Sequence, residues 1–231
     1  MVFTNSNRFA VIYRFACFIL IGIFVVACQS LPGAKKPAKK DPVVETQRGD
    51  ATTEPPLELI PNPYLANKVS VPGKAKQEFA RAQAAMQSNN WELAEGILTL
   101  MIETFPKLSG PYVNLGLVHW HKQQFDEAER AFRFAIEINP TNMDAYSQLG
   151  VLLREQGKFA EAEKVYLQAL EVWPHHLDSH KNIGVLYDLY MGRLPEALKH
   201  YKMAQRIAPG QDKKLEGWIV DLERRIEAGE N

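Results

Sequence analysis

Cysteine is nearly missing from these 231 residues, and the two present, Cys17 and Cys28, both stand near the start. No disulfide framework and no thiolate metal site can be built from the rest of the chain. Net charge is missing too: 27 Lys and Arg balance 27 Asp and Glu, so no global field draws the chain to nucleic acid. Residues 74–231 hold 19 basic against 22 acidic side chains. The apolar run Phe15–Ala27 spans 13 residues, short of the roughly 20 that a helix needs to cross a hydrocarbon core. Motifs for chemistry are absent as well. There is no phosphate-binding glycine loop, no nucleophile elbow and no pair of metal-binding histidines on one helix. These absences argue against an enzyme and against a cofactor, metal or small-molecule substrate. His119-Trp120-His121 and the group His175, His176, His180 come closest. The spacing of His176 and His180 suits a metal only within a single helix. The next helix should start near Leu177, after Pro174, which leaves His176 in a turn, and His180 holds the place of Tyr112 and Tyr146 and should pack inward.

What is present begins with a leader. Arg8 and Arg14 precede the apolar run, and no acid accompanies them, which is the polarity of a secretory signal. The run closes on Val25-Val26-Ala27-Cys28, which resembles the lipobox of bacterial lipoproteins. The resemblance implies cleavage after the small Ala27, acylation of the Cys28 thiol and a lipid-held, palmitate-bearing N-terminus. Gln29 in place of Asp then implies the outer membrane, facing the periplasm. An uncleaved anchor extended by Val11 and Ile12, or an ordinary secreted protein, are the competing readings. Expected boundaries are a signal peptide over 1–27 and a lipidated tether over 28–73.

Eight of the fourteen prolines lie between Gln29 and Gly73, a density that removes backbone donors and supports no core. The segment is expected to be a disordered tether with an r.m.s. reach on the order of 35–40 Å. Its basic cluster Lys35–Lys40 is read as a solvated charge run or a contact for anionic headgroups. Leu57–Leu65 is unusually apolar for a tether. It is either plain linker or an extended strand docked on the repeats of the C-terminal part of the chain.

From about residue 75 on, one hairpin is written repeatedly. Gly116 returns as Gly150, Ala128 as Ala162, Phe132 as Tyr166, Ala135 as Ala169 and Pro140 as Pro174, each 34 residues later. A fixed period with residue types preserved marks a repeat array. Ala82, Ala94, Leu98 and Pro106 extend the frame upstream, and Gly184, Tyr201, Ala204 and Pro209 extend it downstream. Four units are expected at 75–108, 109–142, 143–176 and 177–211. One extra residue within Leu189–Pro195 lengthens a helix, and Pro195 suits the first turn of the next. Glu78 and Arg81 stand where apolar residues are usual and weaken the first helix. Leu215, Trp218, Ile219, Leu222 and Ile226 recur at helical spacing and predict a capping helix over 212–231, with Trp218 in the core.

Tyr112, Leu115, Gly116, Ala128, Phe132, Ala135 and Pro140, with their counterparts Tyr146, Leu149, Gly150, Ala162, Tyr166, Ala169 and Pro174, resemble the tetratricopeptide repeat. The resemblance covers about residues 75–211. It implies an all-α, right-handed superhelix of about four hairpins, whose concave groove is lined by each hairpin's first helix and holds a protein or peptide partner. The matching positions are Phe79, Gln83 and Met86; Val113, Asn114, Leu117 and Trp120; Ser147, Gln148, Val151 and Arg154; Lys181, Asn182, Val185 and Asp188. Of the carboxylate-gripping pattern seen in chaperone-binding relatives, only Asn114 matches, since Val185 stands where Lys181 would need an Asn. Leu117, Val151 and Val185 form an apolar strip beside Trp120 and Arg154, residue types that anchor interfaces; the strip is either a groove floor or packing between first helices. Layout resembles bacterial repeat lipoproteins, which implies a non-catalytic envelope scaffold. Alternatives within that layout are a pilotin-like assembly factor for a pilus or secretin, and the binding subunit of a peptidoglycan-hydrolase or energised transport complex.

Overall fold

Asparagine and proline punctuate the helices. Asn90 and Asn142 cap helix starts, their side-chain oxygens accepting from the amides of Leu93 and Ala145, and Asp212 accepts from Lys214 and Leu215. Such caps satisfy amides that a helix start leaves open. The computed structural model describes residues 57–66, 70–210 and 212–229. The leader, Cys28 and the tether up to residue 56 lie outside the described residues. Among the described residues ten α-helices follow in order: α1 (Pro63–Ala66), α2 (Gly73–Gln87), α3 (Trp91–Thr104), α4 (Ser109–His121), α5 (Phe125–Ile138), α6 (Met143–Glu155), α7 (Phe159–Val172), α8 (Leu177–Leu186), α9 (Leu194–Ile207) and α10 (Lys213–Glu227). No strand occurs among the described residues. Helices α2 and α3, α4 and α5, α6 and α7, and α8 and α9 pair as hairpins. Each second helix also packs on the next hairpin, and α10 closes the stack on α9. This is the superhelix expected of stacked hairpins.

One contact repeats through the array. A Cβ placed on Gly116, Gly150 or Gly184 would lie 2.2–2.5 Å from the ring of Phe132, Tyr166 or Tyr201. The aromatic ring therefore occupies the space a side chain would need, and the two helices of each hairpin close over it. In the first hairpin the same two places hold Ala82 and Leu98, both fully buried. A smaller partner there makes room for the methyl.

The turn inside each hairpin repeats too. Asn89, Gln123, Gly157 and Gly192 all have positive φ, between 57° and 74°, at intervals of 34, 34 and 35 residues. The longer interval is the extra residue expected near Leu189. It is absorbed as a π-helical turn, Tyr187–Met191, that continues α8, as expected when one residue is inserted into a helix. Pro195 then lies in the first turn of α9.

Ion pairs link successive hairpins with nearly the same period. Lys122 meets Glu95 at 2.6 Å, Lys158 meets Glu129 at 2.9 Å and Arg193 meets Glu163 at 2.7 Å. Helix α2 differs from the others: Glu78 and Arg81 pair with one another at 2.7 Å, and only Ala75, Ala82 and Ala85 are buried. The first hairpin thus has its own alanine-rich core, completed by Ile97, Leu98 and Met101, while a larger core runs from Val113 to Leu222. In α10, Leu215, Ile219 and Leu222 form the buried seam. Trp218 corrects the expectation of a core residue: it is 40% exposed and rests on the flank of the seam, its ring 5.5 Å from that of Tyr201.

Candidate partner-binding groove

The first helices α2, α4, α6 and α8 lie side by side and present one face. Against α2, α4 and α6 lies a cavity of about 370 Å³ lined by Phe79, Gln83, Val113, Asn114, Leu117 and Gln148, with Asn62 and Tyr64 from the segment before the repeats. Asn114 spends its amide on the Gly110 carbonyl, 3.1 Å away. Among the described residues its carbonyl oxygen and the amide of Gln148 have no hydrogen-bond partner. Leu117 is half-buried and supplies apolar surface. A second cavity of about 560 Å³ adjoins Phe79 and Gly110 and is lined by Tyr64, Leu65, Val71, Met101 and Leu108, among others.

The structure divides the sequence-derived candidates. Asn114, Leu117, Gln148 and the rim of Val113 come together in the first cavity, as do Phe79 and Gln83. Val113 is otherwise buried, 7% exposed, and belongs mainly to the core. Ser147, 9% exposed, is buried, so it is not a groove-surface residue as expected; its hydroxyl has no partner among the described residues. Trp120 packs against the core with its ring edge-on to Phe132, the centroids 6.3 Å apart. Lys181 and Asp188 are also corrected. Lys181 pairs with Asp212 at 2.7 Å and Asp188 with Arg225 at 2.7 Å, so both tie the array to the capping helix. Val185 packs against the core, and Val151 and Asn182 are half-buried. The Arg154 guanidinium stands 5.8 Å from the centre of the Tyr190 ring, placing it over the π-turn and outside the cavity.

Trp173, which sequence reasoning passed over, and His175 hold the segment before the repeats. Ile60 donates its backbone N–H to His175 Nδ1 at 2.7 Å and accepts from Trp173 Nε1 at 2.8 Å. The apolar segment Leu57–Leu65 is therefore docked through Ile60, as the second of its two expected readings has it, but not as a strand: Pro63–Ala66 forms the helical turn α1. Trp173 takes the place that Asn139 holds one repeat earlier, and His175 that of Thr141. The change of residue type between copies was the available signal.

The histidines have structural partners. His176 stands in the turn before α8, as expected, at the N-cap position, and its Nδ1 is 2.7 Å from Ser179 Oγ. His180 is buried, as expected; its Nε2 donates to the Pro174 carbonyl at 2.9 Å, so its Nδ1 accepts from His200 Nδ1, also at 2.9 Å. Burial pushes His176 and His180 down from the ordinary range. His200 is pushed down to about 4 by burial, helped by His180 and Lys199. His121 stacks on Trp91 at 3.7 Å, and His119 Nδ1 is 2.8 Å from Gln124 Oε1. Among the described residues no three His, Cys, Asp or Glu are grouped to hold a metal ion. Among them, too, no helix is long and apolar enough to cross a membrane.

Comparison with known proteins agrees with the fold. Two tetratricopeptide-repeat models match, over residues 111–142 and 141–209. Among solved structures, that of Pseudomonas aeruginosa pilF is 20% identical with a TM-score of 0.59, covering 67% of this chain and 69% of its own. TTC0263, a thermophilic tetratricopeptide-repeat protein of Thermus thermophilus, is 22% identical with a TM-score of 0.55, over 70% of this chain and 85% of its own. MamA from Desulfovibrio magneticus RS-1 is 16% identical with a TM-score of 0.56, over 68% and 88%. No curated protein matches the chain significantly. Residues 111–209 are tetratricopeptide repeats, and the helical array that contains them has the fold of tetratricopeptide-repeat proteins.

Proposed function

We propose that this chain is a non-catalytic scaffold, lipid-anchored through Cys28 in the bacterial envelope, that captures a protein or peptide partner in the groove of α2, α4 and α6. Tetratricopeptide repeats generally bind proteins or peptides. The observation that carries the reading is the cavity in which Asn114 and Gln148 offer unspent hydrogen-bonding groups beside half-buried Leu117. An apolar floor with a few polar groups of fixed orientation is what an extended peptide requires. The Val25–Cys28 motif and the basic, then apolar leader support an acylated N-terminus, and two or three acyl chains anchor stably where one does not. Gln29 favours the outer membrane, with the repeats in the periplasm.

A photo-crosslinking amino acid at Gln148, in intact envelopes, tests the groove. It should capture one discrete protein, and Leu117→Arg should abolish that product while the helical circular dichroism signal is kept. Absence of any product at Gln148, or a product indifferent to Leu117→Arg, would remove the groove assignment. Palmitate labelling lost in Cys28→Ser tests the anchor independently.

A further inference from the structure

Ile60 is held in a way that says what the site reads. Both of its backbone groups are engaged, the N–H by His175 and the C=O by Trp173, and these two side chains sit two residues apart in the loop between α7 and α8. Nothing in that pairing depends on the identity of the side chain at position 60. What it demands is an extended residue with a free N–H and C=O, as in strand-like peptide recognition. Two residues further along, Asn62 turns back to accept from the Tyr64 amide at 2.9 Å, and Asn62 and Tyr64 reach the groove cavity beside Phe79 and Asn114. Segment 57–66 thus runs from the α7–α8 loop to the mouth of the groove.

The same segment is poorly buried. Leu59, Ile60, Tyr64 and Leu65 all keep much of their surface in water, and the two pairs on the Ile60 backbone are its long-range hydrogen bonds. An occupant held by backbone, with apolar groups left in water, is easily exchanged.

We propose that Trp173 and His175 form a clamp for the backbone of an extended apolar peptide, that segment 57–66 fills the clamp in cis, and that a partner segment of similar chemistry displaces it. This rests on the groove reading above and names the partner's chemistry: an extended apolar stretch followed by proline and an aromatic residue, as in Leu57–Tyr64. A cis segment on a short connection competes at an effective concentration on the order of millimolar. Occupation in cis therefore keeps weak, unspecific peptides out.

The test uses detergent-solubilised full chain in which 57–66 is replaced by Gly and Ser of equal length. The probe is a fluorescein-labelled peptide with the sequence of Leu57–Ala66. Saturable anisotropy is expected for the replaced chain, and at least tenfold weaker binding for the wild type. Trp173→Phe, which keeps the ring and loses the N–H, should weaken binding to the replaced chain fivefold or more. A peptide N-methylated at the residue matching Ile60 should do the same without touching the protein. No saturable binding to the replaced chain overturns the proposal, as does equal binding by Trp173→Phe and by the methylated peptide. Concentration-dependent dimers of the wild type that vanish on replacement would overturn it too, by placing the segment on a second copy. Crosslinks from Gln148 surviving when the peptide does not bind would remove the clamp alone and leave the groove reading standing.

Discussion

Gly150 shows how much one missing carbon decides. Its Cβ would lie 2.2 Å from the Tyr166 ring, so Gly150→Ala should cost about 1–3 kcal/mol through overpacking. Urea denaturation would show it as a lowered midpoint at unchanged slope. Adding Tyr166→Leu recreates the Ala82 and Leu98 pairing of the first hairpin, and most of the loss should return. At Gln123 the backbone is the issue, since a side chain in the left-handed region costs roughly 1 kcal/mol that glycine avoids. Gln123→Gly should raise the melting temperature, in line with Gly157 and Gly192 at the equivalent turns.

His200 supplies the acid response. Its folded pKa of about 4 lies below that of the unfolded chain, so the unfolded state binds the extra proton first. Stability is then complete above pH 6.5 and falls as pH drops from there toward 4, by about 2–3 kcal/mol for this group. His200→Gln should flatten that part of the stability profile measured by denaturation between pH 7.5 and 4.5. An unchanged slope would show that His180 and His176 carry it instead.

Between elements, the ladder of Glu95, Glu129 and Glu163 joins each hairpin to the next. Each pair is partly exposed and worth at most about 1 kcal/mol. At Glu129 burial pushes the carboxyl up, but hydrogen bonds from Lys158 and Arg133 outweigh that and hold it below the usual range. Replacing all three glutamates by glutamine should lower stability in low salt and reduce its dependence on ionic strength. Equal salt dependence in wild type and variant would dismiss the ladder as a contributor. The π-turn belongs to this scale as well. One inserted residue lengthens α8 without displacing Gly184 from Tyr201 or Arg193 from Glu163, so the stacking frame survives the insertion.

Across the whole array, stability is distributed along one dimension, because each hairpin touches mainly its neighbours. The first hairpin buries a small, alanine-rich core, and the larger core begins at α4 and ends under α10. Amides of α2 and α3 should therefore exchange with solvent at a lower free energy than those of α6 and α7, measured by native-state hydrogen exchange. Uniform protection would mean that the array unfolds as a single unit.

The sequence by itself determined the hairpins, their period, the lengthened helix before Pro195 and the capping seam. All of these are local or repeat at a constant step, so a single chain displays them by comparison with itself. It also placed Asn114, Leu117 and Gln148 together, because equivalent positions on stacked helices share a face. Tertiary structure decided the rest. Lys181 looked available for a ligand until Asp212 met it, and Asp188 until Arg225 did; Ser147 and Trp218 exchanged their expected exposures. His200 joined His180 from the neighbouring helix, and Trp173 and His175 closed on Ile60 across more than a hundred residues of chain. Such pairings have no period and no motif. They depend on which side chains the superhelix brings within hydrogen-bonding distance, and only the folded coordinates contain that.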